Sequence, residues 1–226
     1  MNKLTPEQQR YYLQAMGIDS WVSRTASPII EQPIQDYRQV TSSGLSWEEL
    51  ANSVANCTKR ELHKTRTQTV FGVGNQNAKL LFIGEAPGAN EDLQGEPFVG
   101  RAGQLLNAML SAIELKRTDV FIANILKCRP PNNRDPKPEE TTCCTPYLLR
   151  QIELLQPTLI VALGRIAAQF LLNTTTSLSK LRGQLHEYQQ IPLLVTFHPA
   201  YLLRTPSEKA QAWHDFLKIK SELCKS

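Results

Sequence analysis

Residues 79–88, KLLFIGEAPG, join an apolar run to a polar segment rich in turn-forming residues. The apolar part is typical of a strand that is buried on both faces. A second apolar run, IPLLVTF at 191–197, is followed in the same way by HPAYLLR at 198–204. Because open α/β sheets bind their ligands at the carboxyl ends of parallel strands, we expect the two polar segments to face one crevice.

Strand-like and helix-like segments alternate along the body of the chain. Apolar runs predict four strands, near 79–84, 119–125, 158–163 and 191–197. Helical spacing predicts four longer helices, near 102–114, 139–155, 164–172 and 207–223. Such alternation implies βαβ crossovers and helices on both faces of a sheet. The predicted fold class is therefore α/β, with three α/β/α layers around a central, mainly parallel, four-stranded sheet.

The length and composition indicate one sizeable domain with a short appendage. Residues 46–226 are predicted to form the domain, with a first helix from Trp47 that is capped by Ser46. Residues 1–45 are predicted to hold a helix and a linker. No apolar run approaches the ~18 residues that span a bilayer, and the polar first residues lack the apolar region of a signal peptide. We therefore expect a cytoplasmic monomer without membrane contact.

The formal net charge of +4 is small for 226 residues. A nucleic-acid enzyme needs a basic face more than a large total charge. Basic residues at predicted strand ends and loops are candidates for that face: Arg101, Lys127, Arg129, Arg134, Lys180, Arg182 and Arg204. The alternative is that each of them is an ordinary solvated surface charge.

Two further motifs lie between the polar segments. Residues 91–103, EDLQGEPFVGRAG, precede a predicted helix, and Asn124 ends a predicted strand just before ILKCRPP. Together with GEAPG and HPAYLLR, these motifs resemble family 4 of the uracil-DNA glycosylases, in the same order, over about residues 50–218. The resemblance implies that family's α/β/α fold. It also implies base excision repair of DNA, in which deoxyuridine is flipped out of the stack and its N-glycosidic bond is hydrolysed.

The resemblance assigns roles in binding the base. Phe98 is expected to stack on the flipped uracil, and Asn124 to read its edge through an amide that offers both a donor and an acceptor. His198 is expected to hydrogen-bond to uracil O2 and stabilise the anion as the bond breaks. Gly84 and Ala86 belong to the base-binding segment. The alternatives are a core phenylalanine at position 98 and a turn-forming asparagine at position 124.

The resemblance also suggests catalytic carboxylates and DNA contacts. Ala86 stands where the best-known branch of the superfamily has an aspartate that acts on the water, so the acid must come from elsewhere or matter less. We expect Glu85 to bind the base or order the pocket, and Glu91 to position the water. Leu202 matches the apolar wedge that fills the emptied base stack, with simple packing as its alternative. Arg204 is expected to contact a phosphate.

Five cysteines in a chain of this kind are expected to be thiols or metal ligands. The resemblance implies a [4Fe–4S] cluster on four cysteines. Cysteines occupy three of those positions: Cys57, Cys128 and Cys144. Arg60 stands at the fourth and carries no thiolate, which makes the cluster doubtful. A cluster could persist with Cys143, His63 or an outside ligand, it could have been lost, or the cysteines could be small buried hydrophobes.

Residues 5–22 carry a second resemblance. The run YYLQAMGIDSW at 11–21 is similar to the N-terminal peptide of the psi subunit of bacterial DNA polymerase III. It implies a clamp-loader or polymerase III component as a partner, and a helix that folds back on the domain is the alternative. The rival function is then a non-catalytic replisome adaptor on a glycosylase scaffold. A further rival is an enzyme of the same fold that acts on another deaminated base.

Overall fold

The computed structural model describes residues 44–225, so the predicted N-terminal helix, linker and psi-like peptide lie outside the described residues. The helices are α1 (Trp47–Ala55), α2 (Leu62–Thr65), α3 (Ala89–Gln94), α4 (Arg101–Ala112), α5 (Pro138–Leu155), α6 (Arg165–Leu171), α7 (Leu178–Leu181), α8 (Pro199–Arg204) and α9 (Lys209–Leu223). The strands are β1 (Val73–Gly74), β2 (Leu80–Gly84), β3 (Phe121–Asn124), β4 (Leu159–Leu163), β5 (Leu185–Tyr188) and β6 (Ile191–Thr196).

The described strands form one sheet in the order β1-β3-β2-β4-β6-β5. Its four central strands, β3, β2, β4 and β6, run parallel, and all four were predicted from their apolar runs. The edge strands β1 and β5 pair antiparallel to their neighbours and were not predicted. The sheet is therefore mainly parallel as expected, but it has six strands rather than four.

Both edge strands lack the features that make a strand visible in a sequence. Strand β1 has only two residues, and β5 alternates between exposed and half-buried positions. The turn from β5 to β6 passes through Gln189 and Gln190, both with left-handed backbone (φ 50° and 67°). Such hairpin turns are normally marked by Asn or Gly. Two glutamines at these positions leave no turn signal.

The two faces of the sheet carry separate hydrophobic cores. Alternate residues of β2 point to opposite sides: Leu81 and Ile83 pack into the core that includes α5 and α6, and Phe82 packs into the core that includes α4 and α9. Phe82 stacks on Phe216 of α9 with ring centroids 6.1 Å apart. Helices thus cover both faces, and the predicted three-layer α/β/α fold is confirmed.

The ends of α1 show how local sequence fixes an element. The Ser46 hydroxyl accepts a hydrogen bond from the Glu49 N–H, and the Glu49 carboxylate accepts one from the Ser46 N–H. This capping box satisfies two backbone donors that a helix start leaves free. It confirms the predicted start at Trp47. Within residues 44–225, none of the helices is long and apolar enough to span a lipid bilayer.

Candidate active site

A cavity of about 380 Å³ opens at the carboxyl ends of the parallel strands. It is lined by seven of the residues that the sequence singled out for catalysis, base binding or DNA contact: Glu85, Ala86, Glu91, Phe98, Asn124, His198 and Arg204. Segments more than a hundred residues apart in the chain therefore meet in one pocket. The expectation that GEAPG and HPAYLLR face the same crevice is confirmed.

Asn124 is the most unusual polar residue of the pocket. It is only 2% exposed, and its side-chain oxygen Oδ1 is buried without a hydrogen-bond partner among residues 44–225. Buried polar atoms are nearly always paired, because leaving one unpaired costs about 1–3 kcal/mol. Asn124 also lines the cavity, and an unpaired acceptor on such a residue indicates a place for a ligand that carries a hydrogen-bond donor.

Gly84 makes room for this arrangement. It pairs with Asn124 across β2 and β3. A Cβ at position 84 would collide with Asn124 Oδ1 and would lie 2.8 Å from the ring of Phe98. Gly84 does not itself line the cavity, so its contribution to the base-binding segment is the space it leaves for two pocket residues.

Phe98 forms a pocket wall in a strained backbone conformation. Its φ is 53°, in the left-handed region that non-glycine residues seldom adopt. Its ring lies 5.5 Å from the His198 ring, centroid to centroid, and the side chain is 6% exposed. Gly103 of α4 permits this position, because a Cβ there would clash with the Phe98 carbonyl. Gly103 ends the EDLQGEPFVGRAG motif, but its role in making room for Phe98 was not predicted.

Glu91, on α3, holds the segment that follows Phe98. Its Oε1 accepts hydrogen bonds from the backbone N–H groups of Val99 (2.9 Å) and Gly100 (3.1 Å). Its other oxygen, Oε2, lies on the side of Gly88. One carboxylate oxygen is thus engaged in structure, and the second is available to the pocket that Glu91 lines.

His198 caps the N-terminus of α8 with its ring. Its Nδ1 accepts a hydrogen bond from the Ala200 N–H at 3.2 Å, so the proton of the neutral ring is on Nε2. Burial and, to a smaller extent, the nearby Arg204 cation lower the pKa of His198 to about 4, although Glu91 opposes this shift. The imidazole is therefore a neutral N–H donor near pH 7. Gly164 (φ 90°) allows the close approach, since a Cβ there would lie 2.8 Å from the His198 Cβ.

Glu85 is the pocket's perturbed acid. Burial raises its pKa to about 7, the carboxylate of Asp135 adds to this shift, and Arg165 opposes it. Arg165 also pairs with Asp135 at 3.1 Å. The raised pKa favours the protonated form of the Glu85 carboxyl, which can donate a hydrogen bond as well as accept one.

The segment that follows the ILKCRPP motif forms another wall; of its residues beyond that motif, only Arg134 was predicted to have a role, as part of a DNA-binding face. Residues 130–135, PPNNRD, contribute Pro130, Asn133, Arg134 and Asp135 to the cavity. Asn132 and Asn133 adopt left-handed backbone (φ 56° and 52°), which asparagine tolerates better than most residues. The Pro- and Asn-rich composition of this segment predicts a turn, but its position beside the pocket depends on tertiary contacts.

Two predicted DNA-face residues and the predicted wedge are not at a free surface. Lys127 is 1% exposed and donates to the Asn124 carbonyl (2.8 Å) and to Gln151 Oε1 (2.6 Å). Arg182 pairs with the buried Asp215 at 2.8 Å. Leu202 is 1% exposed and packs in a core cluster, so simple packing is its correct description here.

The other basic candidates lie at or near the surface. Arg101, Lys180 and Arg204 are exposed, and Arg204 lines the cavity. Arg134 is half-buried and makes two hydrogen bonds to the Glu140 carboxylate, at 2.8 and 2.5 Å. Arg129, also half-buried, donates to Asn133 Oδ1 at 2.8 Å. Two of these cations, Arg134 and Arg204, line the cavity, where a cation suits a phosphate group.

The cysteine positions do not fit a four-thiolate cluster. Arg60, at the fourth position, directs its Nε to Cys143 Sγ at 2.9 Å. A guanidinium has donors but no lone pair to offer a metal. In the part of the chain that the structure describes, no three His, Cys, Asp or Glu side chains are grouped so as to hold a metal ion.

Comparison with known proteins places this site in a class. The family model of the uracil DNA glycosylase superfamily matches residues 71–217, which include every pocket motif. A type-4 uracil-DNA glycosylase of Archaeoglobus fulgidus is 48% identical over 187 residues, covering 79% of this chain and 94% of the relative. One from Thermotoga maritima is 44% identical over 77% of this chain and 93% of the relative, and one from Saccharolobus solfataricus is 44% identical over 77% and 85%. The chain belongs to the uracil DNA glycosylase superfamily, within its type-4 uracil-DNA glycosylases.

Proposed function

We propose that this protein is a uracil-DNA glycosylase that hydrolyses the N-glycosidic bond of deoxyuridine in DNA and leaves an abasic site. The observation that carries this proposal is the buried, unpaired Oδ1 of Asn124 in a cavity walled by Phe98 and His198. A uracil in this cavity can donate its N3–H to that oxygen. The identity to type-4 relatives along most of the chain supports the same activity.

The pocket residues suit each requirement of the reaction. The transition state has positive charge on the sugar and negative charge on the departing uracil. The neutral His198 Nε2–H is a preorganised donor for uracil O2, where negative charge develops. The Phe98 ring offers a face on which the extruded base can stack.

The carboxylates divide the remaining roles. Glu91 keeps one oxygen for the backbone beside Phe98, and its Oε2 is placed to orient a water toward the sugar. Glu85, with a pKa near 7, can hydrogen-bond to the base as donor or acceptor. Arg204 at the cavity rim is a candidate phosphate contact. A cytoplasmic location and a monomeric state stay predictions, as does the partner of residues 5–22.

The test is uracil release from an oligonucleotide with a single deoxyuridine, read as alkali-sensitive cleavage on a gel. A thymine-containing oligonucleotide is the substrate control. We expect Asn124→Ala and His198→Ala each to lower the rate at least tenfold, which corresponds to ~1.4 kcal/mol or more of transition-state stabilisation. Asn52→Ala, an exposed amide on α1, is the matched control and should act like the native protein. An Asn124→Ala protein with full activity would contradict the proposal.

A further inference from the structure

The cysteines at the three cluster positions are packed in two different hydrophobic clusters. Cys57, just after α1, packs with Leu50, Val54 and Tyr147. Cys128 and Cys144 pack instead with Leu62 and Leu126. Cysteine commonly fills such positions as a small apolar side chain.

Two arginines connect the segments that surround these cysteines. Arg66 donates from Nη1 to Cys128 Sγ at 3.0 Å and from Nη2 to the Ala55 carbonyl at 3.1 Å, which joins the end of α1 to the segment after β3. Arg60, which lies between α1 and α2, donates to Cys143 Sγ at 2.9 Å and so joins that connection to α5. We call the pair Arg60 and Arg66, with their sulfur partners, the arginine clasp.

The segment next to the clasp supports the wall of the active site. The Thr67 N–H donates to both carboxylate oxygens of Asp92 on α3, at 3.0 and 3.1 Å. Gln68 Nε2 donates to the carbonyl of Leu93, also on α3. Helix α3 also carries Glu91. The clasp is therefore connected to the pocket through Thr67 and Gln68, which follow Arg66, and then through α3. Loosening it is expected to loosen the active site.

We propose that this protein folds without an iron–sulfur cluster, because Arg60 replaces the fourth thiolate, and that the arginine clasp ties together the segments which the cluster is expected to tie in family 4. A guanidinium at the fourth position cannot ligate iron, and a second guanidinium already occupies Cys128 Sγ. This inference concerns the scaffold and does not depend on the proposed base-release activity.

The first experiment measures iron directly. The full chain is produced in cells supplied with iron and cysteine and purified without oxygen; iron, acid-labile sulfide and absorbance near ~400 nm are then measured. We expect no stoichiometric iron and no such absorbance in the native protein. About four irons per chain with the broad absorbance band would overturn the proposal.

The reciprocal variant tests whether Arg60 is the residue that excludes the cluster. Arg60→Cys restores the fourth cysteine, and we expect it to take up about four irons per chain with absorbance near ~400 nm. Arg60→Ser, which removes the guanidinium without adding a thiolate, is its matched control and should stay free of iron. If Arg60→Cys also stays free of iron, the role given to Arg60 is wrong.

Thermal melting tests the clasp. Arg66→Met keeps most of the apolar stem but removes both hydrogen bonds, and we expect the melting temperature to fall by about 3–8 °C. Lys64→Met lies in the same segment and removes only an exposed ion pair with Glu61, so it should shift the melting temperature by at most about 1 °C. An Arg66→Met protein that melts with the native protein would refute the clasp. Both readouts are independent of uracil release.

Discussion

Replacing Asn124 by leucine is expected to raise stability and lower activity at the same time. Leucine branches at Cγ as asparagine does, so Asn124→Leu keeps the shape of the side chain but removes the buried, unpaired Oδ1. That oxygen costs the free protein about 1–3 kcal/mol, which the substrate's donor would recover on binding. The hydrogen bond from Lys127 to the Asn124 carbonyl involves the main chain and is kept.

The sizes of both changes follow from the ~1–3 kcal/mol that the unpaired oxygen costs. The free energy of unfolding should not fall and is expected to rise, by at most about 1–3 kcal/mol. The value of kcat/KM for uracil release should fall by roughly 5- to 150-fold, since 1.4 kcal/mol is a factor of ten. Stability and activity change in opposite directions because the same oxygen destabilises the free protein and is expected to accept a hydrogen bond from the bound base.

Two assays on the same preparation decide the outcome. Urea unfolding gives the free energy of unfolding, and single-turnover release of uracil from an oligonucleotide gives the rate. Asn52→Leu, an exposed amide on α1, is the control and should leave both within about 0.5 kcal/mol of the native values. A leucine variant that is less stable but fully active would refute the reasoning, because Asn124 would then be a structural residue.

Three further predictions concern the pocket and α8. The folded pKa of His198, about 4, lies below its unfolded value of 6.5, so unfolding takes up a proton and stability falls as the pH drops from 6.5 toward 4. This loss should be smaller in His198→Ala when the free energy of unfolding is measured against pH. The folded pKa of Glu85, about 7, lies above its unfolded value of 4.5, so this residue lowers stability as the pH rises from 4.5 to 7. Glu85→Gln should therefore be more stable than the native protein at pH 8, by about 1–2 kcal/mol after allowance for solvent screening, and show less difference at pH 5. Leu202→Ala should lose about 2–4 kcal/mol of stability because the Leu202 side chain is in the core. The ring of Tyr201 is partly exposed and stacks on Phe197, so Tyr201→Ala should chiefly weaken binding to DNA, measured by fluorescence anisotropy. Equal stability of the two variants would contradict the placement of Leu202.

The parallel part of the fold was predictable because its strands are buried on both faces. Residues such as Phe82 and Val161 form unbroken apolar runs that a sequence displays plainly. The edge strands gave no such pattern, since β1 has two residues and β5 is half in solvent. The turn at Gln189 and Gln190 has left-handed backbone, which two glutamines do not predict.

The candidate site was predictable where side chains follow strands and not where tertiary packing decides. Asn124 is the last residue of β3 and His198 comes just after β6, so the topology of a parallel sheet places them at the same edge. Leu202 was misplaced because a helical position alone does not say which side of α8 faces the core. Lys127 was misplaced because one of the two acceptors that bury its ammonium, Gln151 Oε1, lies 24 residues away on α5 and comes close only through tertiary packing.

Because Glu91 anchors the amides of Val99 and Gly100, an inactive variant at position 91 is poor evidence for a carboxylate that activates water. Its removal would release the left-handed backbone at Phe98 and so disturb the aromatic wall before any bond is broken. A library of all residue types at position 91, selected for repair activity, should return glutamine together with glutamate, since both side chains accept hydrogen bonds from a pair of amides. The selection would then test whether residue 91 holds the loop in place. Only the pH dependence of the rate in a surviving glutamine variant would test whether the carboxylate acts on the water.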